Sequence, residues 1–188
     1  MVDTVGIVGL GLIGGSLARR LTERGVVLSS ANSINVGRLV PQVVYYFAAY
    51  AQLLRADAIE AGDEVEFCVP TGNFGNILAA YYAKDMGVPI NRLICASNSN
   101  NVLTDFLCTG VYDRNRTFYN TMSPSMDILI SSNLERMLYY LSDGDCELVA
   151  SLMEQAAALG VRRVSLNFAM FGHIFEAADQ VGASAWNR

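Results

Sequence analysis

The sequence predicts an α/β fold built on a parallel sheet, and three observations carry that prediction. Glu64 to Val69 alternates into Phe67 and Val69 as a half-buried strand does, and Pro70 stops it. A glycine-containing turn, Thr71 to Asn76, leads into an apolar helical stretch from Ile77 to Met86, which Gly87 caps. Arg92 to Ala96 is the next strand, and a strand–helix–strand unit of this kind implies parallel neighbours.

The remaining elements follow in order. Asp3 to Gly25 reads as strand, glycine turn and helix, with Val5–Val8 as the strand and Gly9, Gly11 and Gly14 spelling G-x-G-x-x-G. Gly25 is the expected C-cap, and Val26 to Leu28 the start of a second strand. Asn32 and Ser33 are expected to N-cap a long apolar helix towards Leu54, which Pro41 should kink or restart. Ser97 to Asn101 is a polar turn opening another short helix. Gly110 to Ser131 shows little periodicity, and such a stretch is usually functional or held by a partner surface.

Ser132, Asn133 and Glu135 read as a capping box, S-x-x-E, for a helix through Leu141. Asp145 should cap the next helix, with Leu148, Val149, Leu152, Met153, Ala156 and Leu159 on one face and Gly160 at its end. Val161 to Phe168 reads as a strand and Phe171 to Val181 as a final helix. No internal repeat or low-complexity tract interrupts the series.

Composition bounds the function. The 188 residues are 52% hydrophobic and 16% charged, a globular balance sufficient for one good-sized core. Thirteen basic against 18 acidic side chains give −5, so no nucleic-acid partner is expected. Val5 to Leu17 lacks a basic lead-in, is broken by glycines and is too short to span a bilayer, so neither a membrane partner nor a secretory leader is expected. Cys68, Cys95, Cys108 and Cys146 form no C-x-x-C pair and read as buried thiols of a reducing cytoplasm. The one histidine, His173, excludes a multi-histidine metal site and, beside Phe171 and Phe175, reads as packing.

Thr71-Gly72-Asn73-Phe74-Gly75-Asn76 carries the strongest chemical signal. Glycines let successive N–H groups turn into one hollow, the following helix start favours an anion, and Thr and Asn add neutral donors. The same pattern equally suits an ordinary βα turn that needs glycine geometry; read as a site, it would take a small phosphorylated molecule.

Three blocks then resemble threonine synthase, in this order and at this spacing: SSANSINVGRLVPQVVYYFAAYAQL, EFCVPTGNFGNILAAYYAKDMGVPINRLICASNSN and NTMSPSMDILISSNLERML. The resemblance implies pyridoxal phosphate as cofactor, with Gly72, Asn73, Phe74, Gly75 and Asn76 around its phosphate. It implies an incomplete three-layer α/β sandwich of the fold-type II kind, and conversion of O-phosphohomoserine and water to threonine and phosphate. Asn32, Ser33 and Asn35 match the family's N-S-I-N segment and are expected beside the substrate. The family also holds its cofactor on a lysine in an upstream phenylalanine-lysine-aspartate segment. The one lysine here, Lys84, lies in A-K-D-M-G and reads as a solvated surface residue, so turnover by this chain alone is not expected.

The two ends resemble other families. TVGIVGLGLIGGSLARRLTERGV is similar to the Rossmann opening of prephenate dehydrogenases, which makes NAD(P) on Gly9, Gly11 and Gly14 the alternative cofactor. The acidic residue such a site needs after its second strand is replaced by Leu28-Ser29-Ser30-Ala31-Asn32. GVRRVSLNFAMFGHIFEAADQVGA resembles the C-terminal domain of phosphatidylglycerol lysyltransferases. The expected division is therefore residues 1–28, 29–155 and 156–188, a chimera or a fragment. A non-enzymatic α/β domain, with both glycine loops as plain turns and exposed core surface favouring self-association, is the third reading.

Overall fold

The computed structural model describes residues 12–27, 34–159, 161–163 and 175–177. Contacts divide the chain into two units, Met1–Asn32 and Ser33–Arg188. In the first, α1 spans Leu12–Thr22, and Gly14 lies in its first turn. Gly25 follows in the left-handed conformation, φ 80°, its N–H bonded to the Thr22 carbonyl at 2.9 Å, as a helix-terminating glycine should be. Val26 and Val27 run on exposed and outside any strand, so the second strand expected there does not begin at either. Gly9, Gly11 and the strand expected at 5–8 lie outside the described residues.

The second unit opens with α2, Val36–Arg55. Its cap is Asn35, whose Oδ1 accepts the Gly37 N–H at 2.9 Å; the expected caps, Asn32 and Ser33, lie outside the described residues. Pro41 sits inside this helix without restarting it. Losing one N–H donor is tolerable where the flanking turns are anchored by the buried stripe of Leu39, Val43 and Tyr46. The adjoining face leaves Val36, Val40 and Val44 exposed.

β1 (Val65–Pro70), α3 (Gly75–Asp85) and β2 (Ile90–Ala96) form the expected unit. The strands are parallel, with Phe67 beside Leu93 and Val69 beside Cys95. Burial alternates along β1, and its inner side meets α2, where Tyr46 and Phe67 stack edge to face at 4.9 Å. α3 starts two residues before the expected Ile77, at Gly75, and buries Ile77, Leu78, Ala79, Ala80 and Ala83 completely. Small residues along this face let the helix lie close to the sheet.

β5 (Phe175–Ala177) adds in parallel to the other edge of β2, giving the order β1-β2-β5. This corrects the final helix expected over Phe171 to Val181. The periodicity there is compatible with a helix, but β2 presents an unpaired edge, and pairing its backbone groups outweighs weak local preference. α4 (Val102–Thr109) ends at Gly110, φ 73°, and β3 (Val111–Asp113) pairs antiparallel with β4 (Val161–Arg163), the described part of the strand expected over Val161 to Phe168. α5 spans Leu134–Leu141 and α6 Cys146–Leu159. Asp145 caps α6 as expected, its Oδ1 accepting from Leu148 N at 2.8 Å; Val149 is buried, but Leu148 is turned outward.

The aperiodic stretch after β3 holds one short 3-10 turn, Pro124–Met126, and is organised by polar side chains. Asp127 Oδ1 accepts from Asn98 Nδ2 at 2.7 Å, Asn100 Nδ2 at 3.1 Å and Thr121 Oγ1 at 2.7 Å, while its Oδ2 accepts the Thr121 N–H at 2.8 Å. Asn100 also exchanges two hydrogen bonds with the backbone of Tyr119. These donors, those of Thr121 above all, hold the Asp127 carboxyl below its ordinary range. A lowered carboxylate pKa stabilises the fold above that ordinary range, and the contribution fades as pH falls through the lowered value. Residues 119–127 are therefore expected to lose amide-exchange protection below about pH 4. Asp127→Asn should loosen them at neutral pH and flatten the acid dependence, because its NH2 confronts donors. Unchanged protection in that variant at both pH values would contradict this role.

The cysteines depart from expectation: Cys95 alone is buried, while Cys68, Cys108 and Cys146 are exposed, and all four are free. Among the described residues, no helix is long and apolar enough to cross a membrane, and no group of metal-ligating side chains occurs.

Candidate functional site

The Thr71–Asn76 turn follows the C-terminal end of β1, and helix α3 begins inside it. In a parallel sheet, that is where connecting loops gather into a ligand crevice. The turn is built differently from what its glycines suggest. The left-handed residue is Phe74, φ 61° and ψ 3°, and not Gly72 or Gly75. A side chain in that conformation costs about 1–2 kcal/mol. Complete burial of the Phe74 ring, worth about 1.5–3 kcal/mol, offsets it. Gly72 is closely approached: a Cβ there would stand 3.0 Å from Ile128 Cδ1, so that side chain would have to give by a few tenths of an ångström.

Two carbonyls of the turn are tied back to the segment before α5. Ser131 Oγ donates to the Gly72 carbonyl at 2.5 Å. The Asn73 carbonyl accepts twice from Asn133, from its N–H at 3.1 Å and from its Nδ2 at 3.0 Å. In a planar trans peptide, the C=O of one residue and the N–H of the next point in opposite directions. Fixing these carbonyls on residues 131–133 therefore aims the N–H groups of Asn73 and Phe74 away from that segment. The N-terminus of α3 follows directly, and the Phe74 position carries no side-chain cap. Half-buried Asn73 and exposed Asn76 bring the turn to the surface.

The side chains have narrower roles than expected. Thr71 donates its hydroxyl to the Val69 carbonyl at 2.7 Å, so that proton is not directed at a ligand. Asn76 is held by Tyr46, whose hydroxyl lies 2.8 Å from Asn76 Oδ1 and 3.0 Å from its carbonyl oxygen. Beneath the turn, burial pushes the Cys95 thiol up to about 12, which keeps it protonated and unreactive.

Lys84 is not the solvated residue expected. It is half-buried near the far end of α3 from the turn, and its Nζ donates to the carbonyls of Ile90 and Asn91, tying helix to strand. Of the N-S-I-N residues, Asn35 is described and caps α2; Asn32 and Ser33, like His173, lie outside the described residues. The structure thus joins Gly72–Asn76 to Ser131, Asn133 and Tyr46, none of which the sequence marked as a site residue. The signal for Asn133 was present but ambiguous, since S-S-N-L-E also spells a helix start. Asn133 does precede α5, yet its side chain makes no capping bond and reaches the turn instead.

Comparison with known proteins decides the family. Threonine synthase-like 1 of Homo sapiens is 58% identical over 134 residues, which are 71% of this chain and 18% of that protein. The chain carries a threonine-synthase-type segment. The crystal structure of the Brucella melitensis threonine synthase with pyridoxal phosphate bound aligns over 87% of this chain and 35% of that one, with TM-score 0.74 and 38% identity. The yeast threonine synthase aligns over 78% and 30%, with TM-score 0.70 and 40% identity. The parallel α/β arrangement of this segment is therefore that of the fold-type II class expected from the resemblance. The chain spans less than a fifth of the human relative and about a third of the solved ones. No protein-family model matches. None of these relatives supports the dehydrogenase reading of the N-terminal glycines.

Proposed function

We propose that this threonine-synthase-type segment binds the phosphate of pyridoxal phosphate on Gly72–Asn76. One observation carries the reading: the Gly72 and Asn73 carbonyls are tied to Ser131 and Asn133, which turns the following N–H groups to the opposite side, beside the start of α3. That donor set, all neutral N–H at a helix N-terminus, suits a phosphate dianion. Asn73 and Asn76 stand at its rim. When bound, the cofactor would supply an electron sink for chemistry at an amino-acid substrate.

The chemistry of threonine formation from O-phosphohomoserine also needs a lysine at the cofactor. Lys84 is committed to the Ile90 and Asn91 carbonyls at the other end of α3. The 188 residues alone are therefore proposed to bind the phosphate without turnover.

Thermal melting with inorganic phosphate, pyridoxal phosphate, pyridoxal and NAD tests this. At a hundredfold excess over Kd, a bound ligand adds about 2.7 kcal/mol. For a chain of this size that raises Tm by roughly 5–10 °C. Phosphate and pyridoxal phosphate should both do so, pyridoxal should not, and borohydride should fix no covalent adduct. If neither phosphorylated ligand moves the melting curve, the loop assignment fails. Stabilisation by NAD that Gly11→Ala abolishes would favour the dinucleotide reading instead.

A further inference from the structure

Two adjacent local rules are broken where α5 begins. Asn133 stands at its N-cap with no side-chain cap bond, and Arg136 places a cation in the first turn, where the helix dipole disfavours one. Such departures tend to occur where a residue answers to something beyond its own helix. Here the second allegiance is visible. Arg136 donates through Nη1 to Asn133 Oδ1 and through Nη2 to the Ile34 carbonyl, the latter at 2.6 Å. Asn133 is completely buried, and its Nδ2 donates to the Asn73 carbonyl at 3.0 Å.

The chain of contacts runs from the Ile34 carbonyl through the guanidinium to the Asn133 amide and on to the phosphate turn. An amide has one oxygen and one NH2 group. Holding the oxygen on Arg136 fixes which way the amide faces, so its NH2 must face Asn73. Without that hold, the amide can flip and set its oxygen against the Asn73 carbonyl.

We propose that Arg136 is a positioning residue for the phosphate turn, acting through the orientation of the Asn133 amide and linking the turn to the residue pair that precedes α2. The ligand half of this proposal rests on the phosphate reading of Gly72–Asn76. Arg136 does not touch the ligand. Its planar fork reaches two acceptors in fixed directions, which a lysine point charge on a flexible stem does not reproduce.

The test uses the full chain and the variants Arg136→Lys, Arg136→Gln and Asn133→Asp, at a temperature where circular dichroism shows each to be folded. Asn133→Asp keeps an oxygen for Arg136 but sets a carboxylate against the Asn73 carbonyl. Two measurements are made: the 15N–1H positions of the Asn73 and Phe74 amides without ligand, and the affinity for inorganic phosphate and for pyridoxal phosphate. All three variants are expected to move both amides and to weaken both ligands about three- to thirtyfold, and lysine should not rescue. If Tm falls while amide positions and affinities stay as in the parent, Arg136 is merely structural and the proposal is overturned. If the parent binds neither ligand yet the amides move, the phosphate reading falls and positioning of the turn by Arg136 stands. Should Arg136→Gln fail to fold, the lysine and aspartate variants still decide.

Discussion

Phe74→Ala should destabilise the chain by about 3–5 kcal/mol, the range for emptying a fully buried aromatic site. It should also weaken phosphate binding beyond what partial unfolding explains. The ring is completely buried, so its loss leaves a cavity under the turn. The alanine also inherits φ 61° with its strain undiminished, while the burial that offset the strain is gone. Phe74→Gly separates the two effects. It loses the same ring but adopts a left-handed conformation freely, and should be more stable than Phe74→Ala by about 1 kcal/mol. Chemical denaturation of the three proteins checks the ordering. Alanine as stable as glycine would show that the backbone strain at Phe74 is not real.

Leu93→Ala should cost a similar amount, about 2–5 kcal/mol, but leave the turn alone. Leu93 is fully buried on the central strand, beside Phe67 on one side and Phe175 on the other. Its side chain stabilises the sheet, and the bonds that orient Gly72 and Asn73 come from Ser131 and Asn133 instead. Denaturant midpoints should fall, and phosphate affinity of the folded protein should not change. A matching loss of affinity would mean that the turn is not an independently held structure. The pair Phe74→Ala and Leu93→Ala thus distinguishes damage to the site from damage to the scaffold.

What could be read from the sequence follows how local the determining physics is. The β1–α3–β2 unit was legible because alternation and helical spacing are local, and Gly87 closes the helix at φ 101° as its position implies. The Asp145 cap was legible for the same reason. The turn was legible as a place but not as a mechanism. Its glycines suggested a hollow of N–H groups, but not that Phe74 would be the left-handed residue, because distant packing stabilises a conformation that phenylalanine rarely adopts alone. Asn133 resembled a capping residue because its neighbours in sequence are those of a helix start; its true partner, Asn73, is 60 positions away. β5 was missed for a similar reason: Phe175–Ala177 becomes a strand only because β2 offers an edge. The burial expected of all four cysteines failed on Cys68, Cys108 and Cys146, since thiol burial depends on which face of an element meets the core.

The tie between the turn and residues 131–133 also has a consequence in time. The strand, helix and strand around Gly72 can assemble from near neighbours. The bonds from Ser131 and Asn133 close loops of 59 and 60 residues, and the Arg136 bond to Ile34 closes one of 102. Such closures lose chain entropy before any contact rewards them, and they form late in folding. During refolding, the β1–α3–β2 unit should therefore gain structure before the turn can hold an anion. Recovery of phosphate binding would mark the arrival of α5, long after secondary structure has returned.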